Sequence, residues 1–155
     1  MTKETAEKKI VEKLIVEALP NNDVEYIESV VVPDAVTHRA GFAALYEATE
    51  DAIPQEGNFM DWVRDGWSIL HAALGEQKVE MKFIVAEENK VMAQFHYSVQ
   101  HKGTFASAPA TNKEVTWDEV GTFTFNDEGK IQEMWYMTEE LKVAREIGYQ
   151  LKLNK

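Results

Sequence analysis

At 155 residues, the chain is long enough to bury one hydrophobic core and short for two. Hydrophobic residues make up 45% of it, which excludes a disordered chain, and a formal net charge of -11 repels phosphate backbones and anionic membrane surfaces. With no cysteine, disulfides, thiolate metal sites and cysteine nucleophiles are excluded by inventory.

Residues Met1 to Lys9 lack the apolar run of a signal peptide, and no stretch reaches the length of a membrane span, so a cytoplasmic protein is expected. Ile10, Val11, Leu14, Ile15, Ala18 and Leu19 recur at helical spacing, which predicts a helix from about Thr5 to Leu19, stopped by Pro20. Asn21-Asn22-Asp23 offers a new helix start, and Val24 and Ile27 carry a short helix as far as the extended run Val30-Val31-Val32-Pro33. Asp34 to Arg39 reads as a loop or short edge segment. Phe42, Leu45, Tyr46 and Thr49 share a helical face after Gly41, and Pro54 to Gly57 marks a turn. A longer helix is predicted from Asn58 to Leu74, with Phe59, Trp62, Val63, Trp67, Leu70 and Leu74 on its stripe.

From Val79 the period changes to two. Val79, Met81, Phe83 and Val85 alternate with Glu80, Lys82 and Ile84, Glu87 to Lys90 forms a hairpin, and Val91 to Val99 alternates in turn. Val115, Trp117, Glu119, Gly121, Phe123 and Phe125 form the next row, Asn126 to Gly129 supplies a turn, and Ile131 to Met137 is the last strand. Thr138 reads as the cap of a final helix carrying Leu141, Ala144, Ile147 and Leu151. Helices followed by meandering strands predict an α+β fold, helices packed on one face of a curved antiparallel sheet.

Three segments carry a family resemblance. His101-Lys102-Gly103-Thr104-Phe105 with Pro109-Ala110-Thr111-Asn112-Lys113 is similar to a His-x-Gly-x-Phe run followed by Pro-x-Thr-Gly-Arg/Lys, departing at Asn112. Phe123 to Trp135 is similar to a strand, an Asp-Gly-Lys-Ile turn and a Glu-x-Trp strand, and Asp34-Ala35-Val36-Thr37-His38 to Asp-x-Val-x-His. Together they resemble the SnoaL-like polyketide cyclase family, within the nuclear transport factor two-like superfamily, over most of the chain. The stretch Gly41 to Gln77 is longer than usual in that family.

The resemblance implies a cone-shaped fold, shared with ketosteroid isomerase and limonene epoxide hydrolase, in which a bent sheet and helices enclose a deep apolar pocket. It implies one domain over 1–155, with a helical part at about 5–75, a sheet part at about 79–137 and a closing helix at about 138–151. It also implies a homodimer through the outer sheet face. In the family's cyclases an Asp four residues after the Glu-x-Trp tryptophan is the general acid/base, and Glu139 holds that position here. Strand parity places Trp135 beside Glu139 as an apolar wall whose desolvation would raise the carboxyl's pKa. At a helix start, however, Glu139 would be an ordinary first-turn acid of lowered pKa.

His101 shares parity with Val91, Ala93, Phe95, Tyr97 and Val99, so its imidazole faces the apolar side as a proton carrier or as a hydrogen-bonded core residue. His38, with Arg39, sits in the loop entering the pocket region, either to contact a substrate carbonyl or as a surface residue. Trp135, Trp117, Tyr97, Trp67 and Phe105 are the expected substrate-binding residues, with packing in the core as the alternative. The four histidines, at 38, 71, 96 and 101, show no metal-binding spacing, so neither metal nor cofactor is expected. Nor does any Asp-Arg-Asp cluster of an epoxide hydrolase stand out.

Two functions compete. One is a cofactor-independent acid/base enzyme, of cyclase or isomerase type, acting on a small hydrophobic carbonyl compound, with Glu139 moving a proton and His101 or His38 stabilising the enolate. The other is a non-catalytic ligand-binding or dimeric interaction domain. The Glu at position 139 and the lack of a second histidine between Gly121 and Phe125 motivate it.

Overall fold

Thr2 starts the first helix in the computed structural model, which describes residues 1–154: its hydroxyl accepts the Thr5 amide at 3.1 Å, and α1 runs Lys3–Lys13. It widens into a π-helical turn, Leu14–Ala18, in which the Leu19 amide donates to the Leu14 carbonyl at 2.9 Å. Asp23 caps α2 (Val24–Val30) by accepting from the Tyr26 amide at 3.1 Å. The β-branched run then turns extended as β1 (Val31–Thr37).

The chain continues through α3 (Ala43–Ala48), β2 (Gly57–Asn58) and α4 (Phe59–Leu74), which Asn58 caps by accepting the Asp61 amide at 2.9 Å. β3 (Lys78–Glu87), β4 (Lys90–Gln100), β5 (Glu114–Phe125) and β6 (Ile131–Thr138) form the meander, and α5 is Glu140–Glu146. The architecture is α+β: a curved, unclosed six-stranded sheet in the order β2-β1-β6-β5-β4-β3. Its pairs are antiparallel except β1 with β6, which is parallel and makes the sheet mixed. β1 occupies the segment expected as loop or edge at Asp34 to Arg39, because its partner lies at the other end of the chain and leaves no local signature.

Two irregularities reset the side-chain alternation. The β3–β4 register shifts between Met81 and Phe83, so Phe83 and Val85 turn outward and are exposed, whereas Val79 and Met81 pack against the core. The β5–β6 register shifts between Thr124 and Phe125, which pair with Glu133 and Ile131 and leave Gln132 unpaired. Beyond it Met134, Tyr136 and Thr138 face inward, and Trp135 and Met137 outward.

The final helix is shorter than predicted. Thr138 ends β6, Glu139 takes the N-cap position, and Leu151 is exposed beyond the helix. Phe95, Phe123 and Phe125 are fully buried at the centre of the inner face, each contributing about 1.5–3 kcal/mol by burial. Among the described residues, no helix is long and apolar enough to cross a membrane.

Candidate active site

The inner row of β5 is apolar apart from Glu119, which is only 7% exposed. Glu119 pairs across the ladder with Thr138, whose hydroxyl donates to Oε1 at 2.8 Å. Gly41, in the segment after β1, lies directly against the same carboxyl: a Cβ there would stand 2.9 Å from Glu119 Oε1 and 3.0 Å from Thr138 Oγ1. Glycine is what allows the backbone this approach.

Burial pushes the Glu119 carboxyl up to about 7, while the Thr138 hydroxyl and the Arg39 guanidinium draw it down and Glu140 pushes it up. The Trp117 N–H is buried without a hydrogen-bond partner. A carboxyl balanced in this way is partly protonated near neutrality, the condition for acting as both acid and base.

Aromatic rings enclose the group. Trp117 stacks on Tyr97 at 4.9 Å between centroids, and Phe42 meets Trp117 edge-on at 5.1 Å and Phe105 at 5.2 Å. Tyr136 is buried on the neighbouring strand, its hydroxyl donating to the Met134 thioether at 3.2 Å. The Tyr97 and Tyr136 phenols are pushed upward, first by burial and then by the charge of Glu119, which keeps them protonated as donors.

Arg39 stands between two acids. Its guanidinium pairs with Glu140 and donates to the carbonyls of Ala40 at 3.2 Å and Tyr136 at 3.0 Å, and its charge acts on Glu119. Arg39, Thr138 and Glu140 also line a surface depression of about 620 Å³, which Glu119 itself does not line.

The residues singled out from sequence fall into separate places. Glu139 was expected inward beside Trp135, but the shifted register after Gln132 leaves Glu139 exposed, with Oε2 accepting the Asp118 amide at 2.7 Å. Trp135 is half-buried on the outer face. His38 is exposed, its ring nitrogens 3.3 Å from Glu56 and 3.0 Å from Glu133; hydrogen bonding to Glu133, then to Glu56, raises its pKa. It lines a second depression, about 430 Å³, with Asp34 and Gln132. Neither depression is walled by the aromatic residues expected to line the pocket.

His101 is fully buried, as its parity predicts. Its Nδ1 accepts the Thr111 amide at 3.3 Å and sits 3.0 Å from the Thr111 hydroxyl, while Nε2 has no partner. Trp67 lies apart on α4, donating to the Leu19 carbonyl at 3.0 Å and stacked on His71. Of the expected binding residues, Trp117, Tyr97 and Phe105 belong to the aromatic group around Glu119. Glu119, Thr138, Tyr136 and Phe42 were missed. Glu119 alone had a visible signal, a charge in the middle of an apolar strand row.

The model of the SnoaL-like polyketide cyclase family matches residues 48–147. Solved structures of the same fold include a protein from Jannaschia sp. CCS1 assigned as a SnoaL-like polyketide cyclase, 18% identical, covering 97% of each chain with a TM-score of 0.78. AclR from Streptomyces galilaeus, assigned as a hydroxylase, is 24% identical over 98% of this chain and 87% of its own, with a TM-score of 0.74. IdmH from Streptomyces antibioticus, assigned as a polyketide cyclase, is 20% identical over 92% of this chain and 99% of its own, also at 0.74. At these identities the likeness establishes the fold. No curated protein sequence matches the chain.

Proposed function

We propose that this chain, which belongs to the SnoaL-like polyketide cyclase family, is a cofactor-independent acid/base enzyme of cyclase or isomerase type acting on a small hydrophobic carbonyl compound. The observation that supports this reading is the Glu119 carboxyl, buried among aromatic rings with its pKa pushed up to about 7. The role that the family resemblance gives to Glu139 passes to Glu119, since Glu139 is exposed and committed to the Asp118 amide.

In the step proposed, a proton on the carbon beside the carbonyl moves to Glu119 Oε2, because Oε1 is occupied by the Thr138 hydroxyl. The C–H electron pair becomes an enolate, which the Tyr97 hydroxyl stabilises by donation. Returning the proton to another carbon is an isomerisation. Attack of the enolate carbon on a second carbonyl, with Glu119 giving its proton to the new alkoxide, is a cyclisation.

Deuterium uptake by β-tetralone in heavy water, followed by NMR, tests the reading. Wild type is expected to accelerate the uptake, and Glu119→Gln to lose about a hundredfold or more of that acceleration. Equal rates in the two proteins would refute it.

A non-catalytic binding module is the second reading, supported by the position of both depressions outside the aromatic interior. Saturable binding of β-tetralone without uptake in either protein would favour it. A homodimer through the outer sheet face belongs to both readings. It is supported by the exposed Phe83, Val85, Met92 and Met137 on that face. A sedimentation mass of one chain would refute the dimer.

A further inference from the structure

The segment between β1 and β2 is closed on itself: the Ala40 amide donates to the Gln55 carbonyl at 2.9 Å, so residues 40–55 form an Ω-shaped loop that contains α3. The loop covers Glu119 with Gly41 and fills the aromatic space above it with Phe42, whose ring meets Trp117 and Phe105, and with Tyr46, 6.0 Å from Phe105. α3 has no side-chain cap of its own. Glu140 on α5 supplies the hold instead: one carboxyl oxygen accepts the Leu45 amide at 2.6 Å and the other pairs with Arg39 at the root of the loop. One side chain of a neighbouring helix thus secures both the base and the helix of the loop.

We propose that the 40–55 loop is a lid latched by Glu140, and that the place occupied by the Phe42 ring is the binding slot of a flat, uncharged aromatic part of the substrate, which enters as the lid swings out. The inference rests on Glu119 as the proton carrier and deepens it by naming the ligand's chemistry. Flatness follows from the slot, since what Phe42 fills is a ring-shaped space against Trp117, itself stacked on Tyr97. Lack of charge follows from the walls: Trp117 and Phe105 offer ring faces and edges, and a charged group moved there from water would lose its hydration without a partner. When the slot is empty of substrate, Phe42 keeps water from the carboxyl and preserves the desolvation that raises its pKa.

The test couples two measurements. Amide exchange in increasing urea reads the lid through the amides of Tyr46, Thr49 and Asp51, which donate to Phe42, Leu45 and Tyr46 within the loop. These amides are expected to exchange by local opening, at least about a hundredfold more often than that of Phe95 in the sheet. Glu140→Gln removes the ion pair and is expected to raise lid opening about tenfold while leaving the Phe95 amide unchanged.

Prodan, an uncharged naphthyl ketone, serves as the probe. Apparent affinity scales with the open fraction, so Glu140→Gln is expected to bind it tighter by the same factor by which opening rises. Lid amides that exchange only with the global unfolding of wild type overturn the proposal, even if the variant fails to fold. So does an opening that rises without a matching gain in affinity. Locked lid amides together with loss of deuterium uptake in Glu119→Gln remove the lid alone. A lid that opens while Glu119→Gln keeps wild-type uptake removes the proton-carrier reading alone.

Discussion

Replacing Glu119 by glutamine keeps the shape of the carboxyl and removes its proton chemistry, and the consequence for stability follows from the structure. The folded carboxyl titrates at about 7 against an ordinary value of 4.5. Between those values the folded chain holds a proton that the unfolded chain releases, so wild-type stability falls as pH rises through the window and levels off above it. At 1.36 kcal/mol per pH unit the loss is about 3 kcal/mol. Glu119→Gln has no proton to lose. Its stability is expected to match wild type near pH ~4 and to exceed it by about 3 kcal/mol near pH ~8, with a melting temperature higher by on the order of 10 °C. Urea unfolding followed by tryptophan fluorescence, on both proteins across this range, gives the difference directly, and titrating groups remote from Glu119 cancel in it. Two stability curves that run parallel from pH ~4 to pH ~8 would refute the burial argument for Glu119.

Gly103 packs against α4 so closely that a Cβ would meet the Ala72 carbonyl oxygen at 2.6 Å; since backbone cannot yield, Gly103→Ala is expected to cost about 1–3 kcal/mol in urea unfolding. Glu133 and Glu56 stabilise the protonated His38 ring by accepting its N–H groups, so its stabilising contribution is present below its ordinary pKa and lost as pH rises through the raised folded value. An NMR titration should place the His38 imidazole above 6.5, and Glu133→Gln should bring it down. Glu139→Gln is expected to leave β-tetralone deuterium uptake within about twofold of wild type, because the side chain is exposed and holds only the Asp118 amide.

Much of the fold was legible because hydrophobic period is a local signal. The rows Val91 to Val99 and Val115 to Phe125 face inward as their alternation predicts, and His101 extends the first of them. What the alternation does not carry is an interruption. The unpaired Gln132 sends Trp135 to the outer face and Tyr136 inward, and the shift after Met81 does the same to Phe83 and Val85, with no turn residue to announce either. The acid expected beside Trp135 was misplaced for the same reason. Glu119 stood in plain view within an apolar row, but its burial depends on Gly41 and Thr138, and its balance on Arg39 and Glu140. Those partners come from both ends of the chain, and no short-range pattern brings them together.

The parallel pairing of β1 with β6 imposes an order on synthesis. β6 sits between β1 and β5, so β1 and the short β2 beside it have no place on the sheet until residues through Thr138 have left the ribosome. Until then Val31 and Val32 wait with backbone groups that β6 has yet to pair, while the β3–β4–β5 hairpins can assemble without them. Until β6 emerges, the nascent chain carries an unpaired β1 ribbon and an open β5 edge, the features a chaperone would find as a handle.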